Sequence, residues 1–202
     1  MRRIGDAGEL VLRELTGKAL FYKAVTLGGL NRTEDEVAAY DEVVRRFEDS
    51  DELSLREQVG RALFYKAIAL GGMNRREDEI AAYDEVVRRF GDACQPSLRE
   101  QVAKAMLNKG MALGSLGRSE EEIAAYDEVV RRYGDARSAP LREQVATALV
   151  NKGATLGKLN RAIEEIAVYE ELVRRFGDAG ESAIRELAAK AMQSRLPNAK
   201  QG

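Results

Sequence analysis

SEEEIAAYDEVVRRYG, residues 119–134, returns three more times in this chain: TEDEVAAYDEVVRRFE at 33–48, REDEIAAYDEVVRRFG at 76–91 and AIEEIAVYEELVRRFG at 162–177. Tyr40, Tyr83, Tyr126 and Tyr169 therefore stand 43 residues apart, and so do Leu12, Leu55, Leu98, Leu141 and Ile184, each followed by Arg-Glu. A fixed period of this length marks a solenoid, in which each unit buries its apolar face only against its neighbours. The expected fold class is all-α, with repeats at about 9–52, 53–95, 96–138 and 139–181 forming a single array over 1–202.

The third copy shows what one unit contains. Ser97 with Glu100 reads as a capping box opening a first helix, here called helix A. Leu98, Val102, Ala105, Met106 and Leu113 follow at the three-and-four spacing of one helical face. That helix is expected to end around residues 114–117. Helix B begins near Ser119, with Glu120, Glu121 and Glu122 in its first turn, where carboxylates favour the helix dipole. Its buried face reads Ile123, Tyr126, Val130 and Tyr133. Asp127 and Glu128 lie four residues before Arg131 and Arg132, and Gly134 is expected to act as a left-handed stop. The spacing predicts A helices near 9–28, 54–71, 97–114 and 140–157, and B helices near 33–47, 76–90, 119–133 and 162–176. A capping helix near 182–195 and a tail at 196–202 complete the expectation.

These residues resemble tetratricopeptide repeats. The small residue of helix A is Gly110 or Gly153, a large residue follows at Leu113 or Leu156, and helix B carries Ile123-Ala124-Ala125-Tyr126. The resemblance implies a right-handed α-solenoid of four helix-turn-helix repeats, and it reaches to about Arg195. Three departures stand out. The period is 43 where the family has 34. Glu36, Glu79, Glu122 and Glu165 occupy the family's small position on helix B. Ala24 and Ala67 replace the helix A glycine in the first two copies.

Composition narrows the function. Histidine is absent, which removes the commonest general base and metal ligand, and Cys94 has no histidine to activate it. An enzyme is not expected, and neither is a cofactor or a metal. The glycine pattern at 153–158 lacks the strand, spacing and hydroxyl of a phosphate loop. The arginine pairs Arg45-Arg46, Arg88-Arg89, Arg131-Arg132 and Arg174-Arg175 have carboxylates one turn away, and the formal net charge is −2, so no nucleic-acid partner is expected. No apolar run approaches the roughly 20 residues of a membrane span. With one cysteine and no signal-like segment, the expected location is cytoplasmic and the expected partner is a protein or peptide.

One helix A face varies between copies while the buried positions barely change. It comprises Lys18, Tyr22, Val25 and Gly29; Arg61, Tyr65, Ile68 and Gly72; Lys104, Asn108, Met111 and Ser115; and Thr147, Asn151, Ala154 and Lys158. In the family this face lines a concave groove for an extended peptide or partner helix. The groove residues expected here are Lys18, Tyr22, Arg61, Tyr65, Lys104, Asn108, Asn151 and Lys190. The order Lys104, Asn108, Asn151, Lys190 also resembles part of the carboxylate clamp with which some tetratricopeptide proteins grip an acidic C-terminus. The competing expectation is a structural protein whose repeats pair with copies of themselves. Residues 2–9 nearly repeat 174–181, so the first A helix follows only the tail of a B helix. An apolar strip left open there predicts self-association through the N-terminal helix, with domain swapping as one route.

Overall fold

The computed structural model describes residues 4–177. The expected capping helix at 182–195, with Lys190, and the tail at 196–202 lie outside them. Eight helices follow in order: α1 (Ile4–Gly29), α2 (Thr33–Phe47), α3 (Leu53–Gly72), α4 (Arg76–Phe90), α5 (Pro96–Ser115), α6 (Ser119–Tyr133), α7 (Ala139–Lys158) and α8 (Ala162–Phe176). Among the described residues there is no strand, and no helix is long and apolar enough to cross a membrane. The odd-numbered helices are the A helices and the even-numbered ones the B helices. From α3 onward each A helix has 20 residues, and every B helix has 15. The period thus exceeds the family's because of long A helices and five-residue linkers between copies.

Two compact units are built from these helices, one ending at Ala105 and one starting at Met106. In the first, α1 packs on α2 and α3, α2 on α3, and α3 on α4; in the second, α6 packs on α7 and α7 on α8. Three-residue links between packed helices turn the chain back on itself at each A-to-B junction. The core positions read from copy three hold: Leu98, Val102, Ala105, Met106 and Leu113 are all buried. Tyr40, Tyr83 and Tyr126 are each only 1% exposed, and such aromatic burial contributes on the order of 1.5–3 kcal/mol per side chain. On α6 the buried valine is Val129, with Val130 half-buried beside it.

Three local expectations are corrected. The left-handed residue is not Gly134, whose φ of −56° is helical. It lies instead in the A-to-B turn, at Asn31, Asn74, Gly117 and Asn160, with φ between 57° and 73°. There Asn31 N–H donates to the Gly28 carbonyl and Arg32 N–H to the Leu27 carbonyl, the Schellman arrangement that closes a helix end. Gly134 serves a different purpose: it leaves room for Arg175, whose Nη1 donates to the Gly134 carbonyl at 3.1 Å. In the first copy Glu48 holds this place and pairs with Arg89 at 3.0 Å.

The second correction concerns Ser97. Pro96 opens α5, so Ser97 already lies in the first turn, and its hydroxyl donates to Glu57 on α3. Ser54 does the same to Glu14 on α1. The serine therefore ties one copy to the previous one and does not cap its own helix. The third correction concerns charge pairing. Glu128 binds both Arg131 and Arg132, which frees Asp127 to pair with Lys152 of α7 at 2.5 Å. Asp41 likewise pairs with Lys66 of α3 at 2.6 Å.

Candidate functional site

The variable A-helix face takes a different form in each unit, and it is built on the seam where successive helices meet. In the first unit the seam is aromatic. The Phe21 ring lies 5.5 Å from Tyr65, edge-on, and 5.6 Å from Tyr40, while Tyr40 and Tyr65 stack at 6.4 Å. Arg61 of α3 places its guanidinium 4.5 Å above Phe21 of α1, an arrangement the ring quadrupole favours. Arg61 and Tyr65 are thus partly packing residues. Tyr65 nevertheless keeps 41% of its surface exposed, and Tyr22 keeps 64%. Lys18 is exposed. A cavity of about 260 Å³ opens beside this cluster, lined by Arg61, Phe64, Tyr65, Glu100, Gln101 and Lys104.

In the second unit the same face is polar. A cavity of about 340 Å³ is lined by Met111 and Ser115 of α5, Glu122 and Tyr126 of α6, and Asn151 and Lys158 of α7. Buried Glu122 and Tyr126 form its floor, the Tyr126 hydroxyl donating to Glu122 Oε1 at 3.1 Å. The Asn151 amide donates to the same hydroxyl. Burial first, then the neighbouring Glu122 charge, push the Tyr126 hydroxyl far above its ordinary range, so it stays a neutral donor. The equivalent Tyr40 hydroxyl is pushed up in the same way by burial and then by Glu36.

The aromatic and amide halves of the face have a common cause. Tyr40 meets Tyr65 of the next A helix, ring against ring. Tyr126 meets Asn151 at the corresponding place, hydroxyl against amide. Its ring also sits over Gly110, where a Cβ would lie 2.5 Å from Cε1. Asparagine and glycine accompany each other on the same helix A in the later copies (Asn108 with Gly110, Asn151 with Gly153), and tyrosine and alanine in the earlier ones (Tyr22 with Ala24, Tyr65 with Ala67).

Of the expected groove residues, Arg61, Tyr65 and Lys104 line the first unit's cavity and Asn151 lines the second's. Asn108 is half-buried in the second unit, and Lys190 lies outside the described residues. Met111, Ser115, Glu122, Tyr126 and Lys158 are among the members of the second cavity that were not expected in the groove. Lys158 was visible as part of the varying face. Glu122 was not, because its exposure to a groove depends on a neighbouring helix.

A sequence model of the tetratricopeptide repeat matches residues 103–135, which span the second half of α5 and all of α6. No curated protein matches the sequence. Tetratricopeptide repeats mediate protein–protein interaction. The match falls on the third copy and the other copies stand in register with it, so the chain carries repeats of the tetratricopeptide type.

Proposed function

We propose that this chain is a non-enzymatic scaffold that holds an extended peptide or a partner helix on its A-helix face. The observation that carries this reading is the cavity between α5 and α7, where Asn151, Lys158, Ser115 and Met111 converge above Tyr126. An amide, an ammonium group and a hydroxyl can address the backbone carbonyls and carboxylates of a peptide, and a thioether adapts to varied side chains. The first unit by itself offers the aromatic and guanidinium surface of Tyr65 and Arg61, an apolar contact of the kind that anchors peptide side chains. Asn108 extends the donor set of the second unit, and the resemblance to a carboxylate clamp makes a free C-terminus one specific ligand to test.

The experiment is fluorescence anisotropy against a library of labelled peptides, each with a free and with an amidated C-terminus. Peptides that bind should lose about fivefold or more in affinity on Asn151→Ala, the loss expected of one or two hydrogen bonds. The thermal midpoint reports whether the fold survives the change. Absence of binding across the library, or binding indifferent to Asn108→Ala, Asn151→Ala and Lys104→Ala alike, would reject the groove. Equal binding of free and amidated C-termini would reject the clamp alone.

A further inference from the structure

Glu122 brings a buried carboxylate to the cavity of the second unit with no cation beside it. The residue is 8% exposed, and the Tyr126 hydroxyl donates to its Oε1 at 3.1 Å. The Asn151 amide donates to that hydroxyl in turn, which leaves the hydroxyl proton directed at Glu122. Among the described residues no ion pair reaches this carboxylate. One neutral donor compensates a buried charge poorly, and buried charges are ordinarily paired. The equivalent glutamate of the second copy has its cation: Arg76 Nη1 lies 2.7 Å from Glu79 Oε2, and Glu79 is 7% exposed. One period later Ser119 stands in the arginine's place.

Space opens over Glu122 as well. In the first unit Tyr65 of α3 stacks on Tyr40 of α2. At the corresponding places of α7, Asn151 stands for Tyr65 and Ala154 for Ile68. These smaller side chains leave the cavity of about 340 Å³, with buried Glu122, Tyr126 and Thr155 at its floor and exposed Met111, Ala154 and Lys158 at its rim. That volume is at the small end of ligand pockets, which run from about 300 to 1,000 Å³, and suits one long side chain. The neighbouring hydroxyls do not serve the carboxylate: Thr155 donates to the Asn151 carbonyl and Ser115 to the Met111 carbonyl, each at 3.0 Å. Lys158 lies outside ion-pair distance of Glu122, and at the exposed rim water and salt screen its charge.

We propose that this cavity receives a basic side chain of the bound peptide, arginine or lysine, with its cation on Glu122 and its methylene stem against Met111 and Ala154. The inference rests on the peptide-binding reading of the A-helix face and names what the second unit selects. The Arg76–Glu79 pair shows within the chain that a glutamate in this register takes a guanidinium partner. A charge-assisted contact of this kind is about twice as strong as a neutral hydrogen bond. An apolar residue at the same place in the peptide leaves Glu122 buried and unpaired, and an acidic one adds like-charge repulsion, so both are disfavoured.

The test is fluorescence anisotropy of the intact chain with labelled, C-terminally amidated peptide libraries. Each library fixes one position as arginine, lysine, glutamine, norleucine or glutamate and randomises the rest. The arginine and lysine libraries should bind about tenfold or more tighter than norleucine, with glutamate weakest. Glu122→Gln keeps the side-chain shape and an acceptor for Tyr126, and it should abolish the basic preference; circular dichroism reports whether it folds. Lys158→Met changes only the exposed rim and should tighten the arginine and lysine libraries by about twofold or more. If Glu122→Gln does not fold, the Lys158→Met arm decides. Binding without a basic preference overturns this proposal and leaves the peptide groove standing. So does a preference that survives in folded Glu122→Gln, or arginine and lysine libraries that fail to tighten on Lys158→Met. Absence of binding by every library overturns the groove and this proposal together.

Discussion

Glu79 presses its carboxylate against Gly71: a Cβ built on Gly71 would stand 2.6 Å from Glu79 Oε2 and 2.7 Å from Cδ. The same relation joins Glu122 to Gly114 and Glu36 to Gly28. Where the family has a small residue on helix B, this chain has a glutamate, and the smallness has moved to the end of helix A. Arg76 donates to Glu79 at 2.7 Å, and Tyr126 donates to Glu122, so both carboxylates have a donor at hand.

That exchange predicts opposite outcomes at adjacent glycines. Gly71→Ala forces its methyl group into Glu79 and should destabilise the fold by about 1–3 kcal/mol, the range for overpacked sites. Gly72, the next residue of the same helix, has nothing within 4 Å of an added Cβ. Gly72→Ala should be neutral or stabilising by about 0.5–1 kcal/mol, because alanine is the better helix former. Chemical denaturation of the two variants checks this, and equal effects would mean that the carboxylate moves aside freely.

Tyr126 predicts a graded series. Tyr126→Ala empties a fully buried site and should cost about 3–5 kcal/mol. Tyr126→Phe keeps the ring over Gly110 and removes only the hydroxyl that serves Glu122 and Asn151. It should cost about 1–2 kcal/mol, the range for leaving a buried acceptor short of a donor. An unchanged thermal midpoint for Tyr126→Ala would refute the assignment of the buried B-helix face.

The B helices were legible in the sequence residue by residue, because acidic first turns, the tyrosine register and paired arginines mark both ends in every copy. The A helices were legible in position, but two residues short in length from α3 onward and six short at α1. What escaped depends on distances between copies. Ser97 fits a capping box by spacing, and only the approach of α3 shows that its hydroxyl serves Glu57. Gly134 fits a left-handed stop by composition, and only Arg175 reveals why a side chain is excluded. The glutamates were visible as departures from the family, but their compensation by Gly28, Gly71 and Gly114 lies on a different helix. Arg61 and Tyr65 were read as part of the varying helix A face, yet their contacts with Phe21 could not be read from spacing alone.

Gln58 offers a stabilising substitution. Its side chain is buried, its Oε1 has no hydrogen-bond partner, and its Nε2 reaches the Glu14 carbonyl only at 3.5 Å. Gln58→Met keeps the unbranched shape over Gly17 and removes the orphaned oxygen. Relieving one such group should raise stability by about 1 kcal/mol, within the usual range for a buried unsatisfied acceptor. A urea midpoint that falls would show that the glutamine amide matters more than its oxygen.

Acid should expose the arginine pairs that close each B helix. The Arg88 guanidinium, hydrogen-bonded to Glu85, holds that carboxyl down at about 2, and Arg131 holds Glu128 down at about 2 in the same way. Both folded values lie below the ordinary 4.5, so each pair stabilises the fold above that value. The contribution is lost as pH falls from about 4.5 towards 2. Arg88 and Arg131 are 67% and 68% exposed, so salt should weaken part of the effect. Glu36 acts with the opposite sign: burial raises its carboxyl, so its ionised form is penalised in the fold and acid relieves that penalty. Thermal midpoints between pH 6 and 2 should therefore drop less in Glu85→Gln/Glu128→Gln than in the parent chain, with the difference concentrated below pH 4.5. Parallel curves through that window would show that these pairs add nothing to stability.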